Sequence, residues 1–307
     1  MFRYAVVTCA DMRMMPAAIC ALLSVFQKNS RADTKYILIG IDLQQSAHDD
    51  IRRFNEANGM DIEIVTYSEP PGLAATSGRW PPATLARLFI DLLISASFER
   101  VLYVDADILA AAPVGDLITA DLQGKALGAV DDYIMAFPEK ARRREQKLGL
   151  MFGPRYFNAG VLLFDWQKCL SEGLLARARA LIERPNAKFD ANDQDVLNVA
   201  FQGTWLPLPF RWNVQTGMLP FVSDPAVVHF TGRRKPWQHS INWAHRKFAG
   251  QYSDLLSGTP WSEFCECRSP ARDLGDFALY VGSTVGGLAR AKKVKSYFKG
   301  GMRPTGA

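Results

Sequence analysis

Alternation constrains this chain more than any other feature. "YAVVT" from Tyr4, "KYILIGI" from Lys35 and "IEIVTY" from Ile62 are short apolar runs, and helix-like stretches at Pro16–Gln27 and about residues 46 to 57 separate them. Strands joined by helix-length crossovers run parallel, so an α/β fold is expected, with helices over both faces of a mostly parallel sheet.

The pattern continues. "TLARLFIDLLI" has helical spacing and leads directly into "RVLYVDADIL", while "ALGAV", "AGVLLFD" and "AVVHF" are further strand candidates. Ser171 to Glu183 and Gln194 to Ala200 are expected to be helical. "SEPPGLAATSGRWPPA" is rich in Pro, Gly and Ser and is expected to form a loop near the ligand-binding edge of the sheet. After about Trp261 the alternation stops. Residues 1–260 are therefore expected to form one large domain, and residues 261–307 a small C-terminal appendage.

With 48% hydrophobic and 22% charged residues, the composition is globular and excludes disorder. "PAAICALLSVF" is too short to span a bilayer, so neither a signal peptide nor a membrane span is expected, and the location is expected to be cytoplasmic. Five scattered cysteines suit a reducing compartment. The net charge of +5 is uneven, since Arg290, Lys292, Lys293, Lys295, Lys299 and Arg303 follow one another without an acid. With Tyr297 and Phe298 among them, that tail is expected to meet an anionic membrane surface; a frayed, solvated end is the plainer alternative. Nucleic acid is not an expected partner, because no binding module accompanies the tail and acidic strand ends repel phosphate.

Ligands of open α/β sheets bind beyond the carboxyl ends of the strands. Asp105 and Asp107 stand where the buried run "VLYV" ends, and at i and i+2 they can converge on one hard cation. Alone, such a pair is as well explained by a helix cap or a turn. Other strand exits add weight: Asp11 ends the first, Asp131 and Asp132 end "GAVDD", and His229 lies in "VVHFTG". Two carboxylates with an imidazole suit Mn²⁺ better than Ca²⁺. Taken singly, His229 would more often be a structural histidine. "TGRRKPW" follows it, however, with Gly232 for close backbone approach and Lys235 for a phosphate.

Together these residues resemble glycosyltransferase family 8, the retaining enzymes of GT-A fold, and especially its bacterial lipopolysaccharide galactosyl- and glucosyltransferases. "LYVDADIL" resembles the family's D-x-D block, "YFNAGVLLFD" its acceptor-side block, "NDQDVLN" its catalytic block and "HFTGRRKPW" its diphosphate block, in family order over roughly residues 3 to 250. The resemblance implies a Rossmann-like sheet, a UDP-hexose donor, Mn²⁺ with Mg²⁺ as a substitute, and a glycan or glycolipid acceptor. It further implies Asp105, Asp107 and His229 as metal ligands. Donor binding falls to Cys9, Asp11, Arg13, Arg87, Asp105, Ala106, Gly232 and Lys235, although the family often has smaller or neutral polar residues where Cys9 and Arg13 stand. Asp131 and Asn158 match positions around the transferred sugar and acceptor. Asp193 and Gln194 match the pair flanking the reacting carbon.

Gln194 is an amide and a poor nucleophile, so a front-face substitution is expected rather than a double displacement through a covalent sugar. The expected activity is hexosyl transfer to a lipopolysaccharide or lipooligosaccharide core at the inner membrane. A nucleotide-sugar-binding protein without transfer activity, and a transferase acting on another glycan or on protein, are the alternatives. Trp212, Trp237 and Trp243 lie near the late motifs, where sugar stacking and core burial are both open, and are left out of the site.

Overall fold

The computed structural model of the chain describes residues 2–70, 81–151, 155–184, 189–267 and 269–299, with the side chains of 283–293 and 299 outside that description. Most of the proline-rich loop and Arg303 therefore lie outside the described residues.

β1 (Tyr4–Asp11), β2 (Thr34–Ile41), β3 (Ile62–Tyr67), β4 (Arg100–Val104), β6 (Leu127–Asp131), β7 (Phe157–Asp165) and β8 (Trp205–Pro207) form a seven-stranded sheet in the order β3-β2-β1-β4-β7-β6-β8. β1 pairs in parallel with β2 and β4, whereas β7 runs antiparallel to both of its neighbours. The first three strands are joined by α1 (Met15–Gln27) and α2 (Gln45–Asn58), where the sequence pattern locates them. "TLARLFIDLLI" is less regular than expected: α3 (Pro82–Ala86) gives way to a 3-10 turn at Arg87–Phe89 before a final helical turn.

β1 explains why its strand is apolar throughout. Side chains alternate across a strand, so Tyr4, Val6 and Ala10 enter one core beneath α1 and α2, while Ala5, Val7 and Cys9 enter the other. That second core is closed by α3 together with α4 (Leu174–Ile182) and α5 (Asn192–Ala200). Only Asp11, at the strand's exit, is partly exposed.

A second sheet, β5 (Ile108–Ala110), β10 (Val227–His229) and β9 (Val214–Gln215), leans against the first. Its antiparallel register puts His229 opposite Ile108, directly after Asp107. Beyond it, α6 (Ala249–Leu256) packs on α1, and α7 (Pro270–Lys299) closes the described chain. α7 is docked at both ends. Near its start, buried Asp276 accepts hydrogen bonds from Ser240 Oγ at 2.8 Å and from the Ile241 amide at 2.9 Å. Near its end, Phe298 is buried among Tyr133, Phe210 and Phe221, and the Tyr297 hydroxyl donates to Asp131 Oδ2 at 2.9 Å. The two aromatics expected to meet a membrane are thus turned into the protein. Lys295 is exposed beside them. The five cysteines are free, and no described helix is long and apolar enough to cross a membrane.

Candidate functional site

The pairing of β5 with β10 assembles the charged end of the site. Phe230 donates its amide to the Asp107 carbonyl at 2.9 Å, which carries His229 Nε2 to 3.2 Å from Asp107 Oδ1 and 3.6 Å from Asp105 Oδ2. One donor atom from each of the three lies within 4.8 Å of the others. On the main sheet, Asp105 donates its amide to the Gly160 carbonyl at 2.8 Å, so Gly160 faces the same cluster. A Cβ there would fall on the His229 ring and lie 3.0 Å from Asp105 Oδ2. Only a glycine lets β7 approach this closely.

The tautomer of His229 follows from its neighbours. Its Nδ1 faces Asn158 Oδ1 and Asn213 Oδ1, each at 3.1 Å. Asn158 Oδ1 also accepts the Gly160 amide at 3.0 Å, which fixes that oxygen's orientation, and Asn213 Nδ2 donates to the same oxygen at 2.9 Å. Two acceptors hold the proton on Nδ1, leaving the Nε2 lone pair toward the carboxylates. Two hard oxygens and one borderline nitrogen fit a divalent cation of the Mn²⁺ kind. Asp107 also holds the Lys235 ammonium, which donates to the Phe230 carbonyl at 2.6 Å. Burial would raise the Asp107 carboxyl above its usual range, but the Lys235 ammonium, joined by His229 when its ring carries a second proton, outweighs burial and holds it below that range.

Arg87 ties this cluster to the next. From the 3-10 turn, its Nη2 stands 2.8 Å from Asp105 Oδ1 and its Nη1 donates to the Ala159 carbonyl at 2.9 Å, while Tyr103 lies beneath the guanidinium. Its Nε stands 2.8 Å from Asp193 Oδ2, yet the two lack the alignment of a hydrogen bond, so both atoms are buried without one. Burial pushes Asp193 up to about 6, against the pull of Arg87. Arg87, expected from the resemblance to bind the donor, is thus buried at the centre of the site.

An amide network completes the floor. Gln194 Oε1 accepts the Ala159 amide at 3.0 Å and Asn158 Nδ2 at 3.1 Å, and Gln194 Nε2 donates to Asp132 Oδ2 at 3.1 Å. Asn158 Nδ2 reaches the same Asp132 oxygen at 3.0 Å. Asp131 is the last residue of β6 and Asp132 caps the 3-10 turn that follows, and it is Asp132, rather than Asp131, that points into the network. The Asp131 carboxylate turns to Arg155, at 3.2 and 3.0 Å, and to Tyr297. Burial raises it above the ordinary carboxylate range, partly offset by those partners. Asp132 was visible in the sequence as a strand-end acid, but nothing there distinguished it from its neighbour.

α5 begins on Asn192, whose φ of 49° is left-handed, a conformation that asparagine tolerates better than most residues. Within the same block, Asp195 is structural: it accepts from Arg144, from the Tyr156 hydroxyl at 2.6 Å and from the Ala191 amide at 2.9 Å. Asn198 likewise grips both main-chain groups of Phe157. Those anchors leave Asp193 and Gln194 facing the cleft.

The remaining expected residues are more dispersed. Asp11 caps the following turn by accepting the Met14 amide at 2.9 Å, Arg13 is exposed, and Ala106 is buried between the two aspartates. Cys9 is buried in the core, where burial pushes its thiol up to about 12 and makes it a poor nucleophile. Gly232, with a φ of 93°, adopts a backbone that other residues rarely reach. A cavity of about 930 Å³ opens from Asp132 and Asn158 toward Trp243 and α7.

Comparison with known proteins places these features in company. The sequence pattern of the family described as "Glycosyl transferase family 8" matches residues 5–240. Lipopolysaccharide 1,2-glucosyltransferase of Escherichia coli K12 is 28% identical over 197 residues, covering 60% of this chain and 56% of that protein. Lipopolysaccharide 1,3-galactosyltransferase of Salmonella typhimurium is 28% identical over 228 residues, covering 70% and 65%. The chain thus spans little more than half the length of the first of these relatives, and just under two thirds of the second. Among solved structures, the galactosyltransferase LgtC in complex with donor and acceptor sugar analogs superposes with a TM-score of 0.72 at 22% identity, over 85% of this chain and 99% of that one, which shows a shared GT-A fold.

Proposed function

Because the chain belongs to glycosyltransferase family 8, we propose that it is a retaining, metal-dependent hexosyltransferase that takes galactose or glucose from a UDP-sugar. The acceptor in this reading is a sugar hydroxyl of a lipopolysaccharide or lipooligosaccharide core, which the named relatives support. The observation that carries it is the convergence of Asp105, Asp107 and the His229 Nε2 lone pair next to Lys235 and within the network of Gln194. Asp105, Asp107 and His229 would hold the cation, and when bound it supplies Lewis-acid neutralisation of charge gathering on the departing diphosphate.

The chain's own groups do the rest. Lys235 offers a second positive charge, and Gly232 opens the main chain beside it for a diphosphate. Arg87, held between Asp105 and Asp193, keeps two carboxylates in one place while burial excludes water. Gln194 has both hydrogen-bonding ends engaged, its carbonyl oxygen by two donors and its amide by Asp132. An oxygen so occupied is a weak nucleophile, which supports front-face substitution, with the donor phosphate taking the acceptor's proton. Asp132 and Asn158 then orient the transferred sugar.

Peripheral attachment to an anionic membrane remains part of this reading, carried by the basic residues near the C-terminus rather than by the docked rings. The test is to incubate the chain with Mn²⁺ and a panel of UDP- and GDP-sugars and follow release of the nucleotide. Metal-dependent release from one UDP-hexose is expected; no release from any donor would overturn the proposal. A sugar covalently trapped on Asp193 or Gln194, seen by mass spectrometry, would overturn the front-face route alone.

A further inference from the structure

The cavity beyond Asp132 and Asn158 has a far wall that lies outside the family-matched span, which ends at residue 240. α7 supplies it with Asp276, Leu279, Tyr280 and Val294. Two anchors hold that wall in place: Asp276 beneath Ser240 and Ile241, and Tyr297 on Asp131 with Phe298 buried beside it. Between α7 and the sheet, the Trp243 ring leans on Phe277 at 5.1 Å and lines the same cavity.

Its volume of about 930 Å³ lies near the top of the range of small-molecule sites, roughly 300–1,000 Å³, so one hexose would leave most of it empty. The lining mixes aromatic side chains, at Trp243 and Tyr280, with the polar groups of Asn242, Lys140 and Arg234, while Gln215 and Thr216, also in the lining, are committed to internal hydrogen bonds. That mixture suits sugar rings, whose C–H faces stack on aromatics while their hydroxyls need hydrogen-bonding partners. Both signs of charge line it, Asp132 and Asp276 with Lys140 and Arg234, and Asp276 is already paired with Arg234, so it has no strong preference for a highly charged ligand.

Resting on the transferase reading above, we infer that this cavity is an extended acceptor subsite that takes a glycan of at least two rings, and that α7 is the wall that sets its specificity. The ring receiving the hexose lies by Asp132 and Asn158. The rings behind it stack toward Trp243 and Tyr280.

The experiment uses the full chain, Mn²⁺, the hydrolysed UDP-hexose, and lipid-free core oligosaccharide trimmed to one, two or three rings. From one ring to three, kcat/KM is expected to rise about tenfold, the gain of one or two good stacking contacts. Leu279 is 56% exposed and lines the cavity, so Leu279→Trp narrows it without disturbing the core. That variant is expected to lose about tenfold in kcat/KM on three rings, mostly through KM, and less than about twofold on one. Tyr280→Ala should show the same length dependence. A flat ladder in the parent chain, equal losses on short and long acceptors, or donor hydrolysis with no transfer to any of the three would overturn the subsite. Absence of donor hydrolysis would take down the transferase reading, and the subsite with it.

Discussion

On one side of the cleft, Asp105, Asp107 and His229 stand at strand ends whose positions are fixed by main-chain pairing. On the other, Trp243, Tyr280 and Tyr297 ride on a 3-10 turn and a long helix that pairs with no strand among the described residues. The first side is over-determined. Each group there has a second contact holding it: Asn158 and Asn213 on His229, Arg87 and Tyr103 on Asp105, Lys235 on Asp107. The far side depends on a few anchoring points and on ring packing. On the proposed reading, the side that holds the donor diphosphate gains from rigidity, whereas the surface that chooses among acceptors gains from being replaceable.

The largest effect should come from breaking the rigid side at its centre. Asp107→Asn removes a charge that faces both His229 and Lys235, and should cut metal-dependent donor turnover at least about 10²–10³-fold, as loss of a charge-stabilising group in a buried site does. Initial rates of UDP release against Mn²⁺ concentration measure it. Turnover that is unchanged and still needs metal would mean that the charge cluster is not the donor site.

Gly160→Ala sharpens the point without touching a ligand. The added methyl would fall on the His229 ring, so the imidazole must leave its place against the carboxylates. Displacing an orienting contact of a metal ligand typically costs 10–100-fold in metal affinity, and a shift of about that size is expected in the Mn²⁺ activation curve. An unaltered curve would show that His229 is not a ligand.

Much of the rigid side was legible in the sequence, because its logic is local. An apolar run that stops at a polar residue announces a strand end, and four such endings were visible, three at the acids Asp11, Asp105 and Asp131 and one at His229. Their convergence was not: it depends on β10 returning antiparallel to β5, which only the family resemblance suggested. Nor could the sequence tell Asp131 from Asp132. β6 ends at Asp131, and Asp132 already caps the 3-10 turn that follows; which of the two enters the site depends on how that turn and β7 meet, and that leaves no compositional trace. The far side was misjudged for a related reason. Tyr297 and Phe298 sit among basic residues and suggested a surface, while the pocket of Tyr133, Phe210 and Phe221 that receives Phe298 comes from distant segments.

Between the two sides lies His245, which joins them through Thr216 and the Arg234 carbonyl at 2.9 and 3.1 Å. Burial, reinforced by Lys235, lowers its pKa to about 4 from the ordinary 6.5. Between those values the unfolded chain binds the proton and the folded chain does not. Stability from this group is therefore complete above pH 6.5 and falls as the pH drops toward 4, by roughly 1–3 kcal/mol at most. Urea midpoints at pH 7.5 and 4.5, compared between the parent chain and His245→Asn, isolate the contribution. Equal pH sensitivity in both would show that this imidazole is not the group being protonated.

The smallest predicted change tests whether the two sides are separable at all. Tyr297→Phe keeps the ring packed against Phe210 and removes only the hydrogen bond to Asp131, which retains Arg155. Loss of one such bond should cost about 1–2 kcal/mol in the docking of the last turn of α7, too little to unfold the chain. The far wall would then loosen while β6 and the charged cluster stay in place. Acceptor KM should rise a few fold, within the roughly tenfold that 1.4 kcal/mol allows, with donor hydrolysis in the absence of acceptor unchanged. A parallel fall in donor hydrolysis would mean that Tyr297 reaches through Asp131 to Asp132, the residue just past β6, and that the helix stiffens the rigid side as well as walling the loose one.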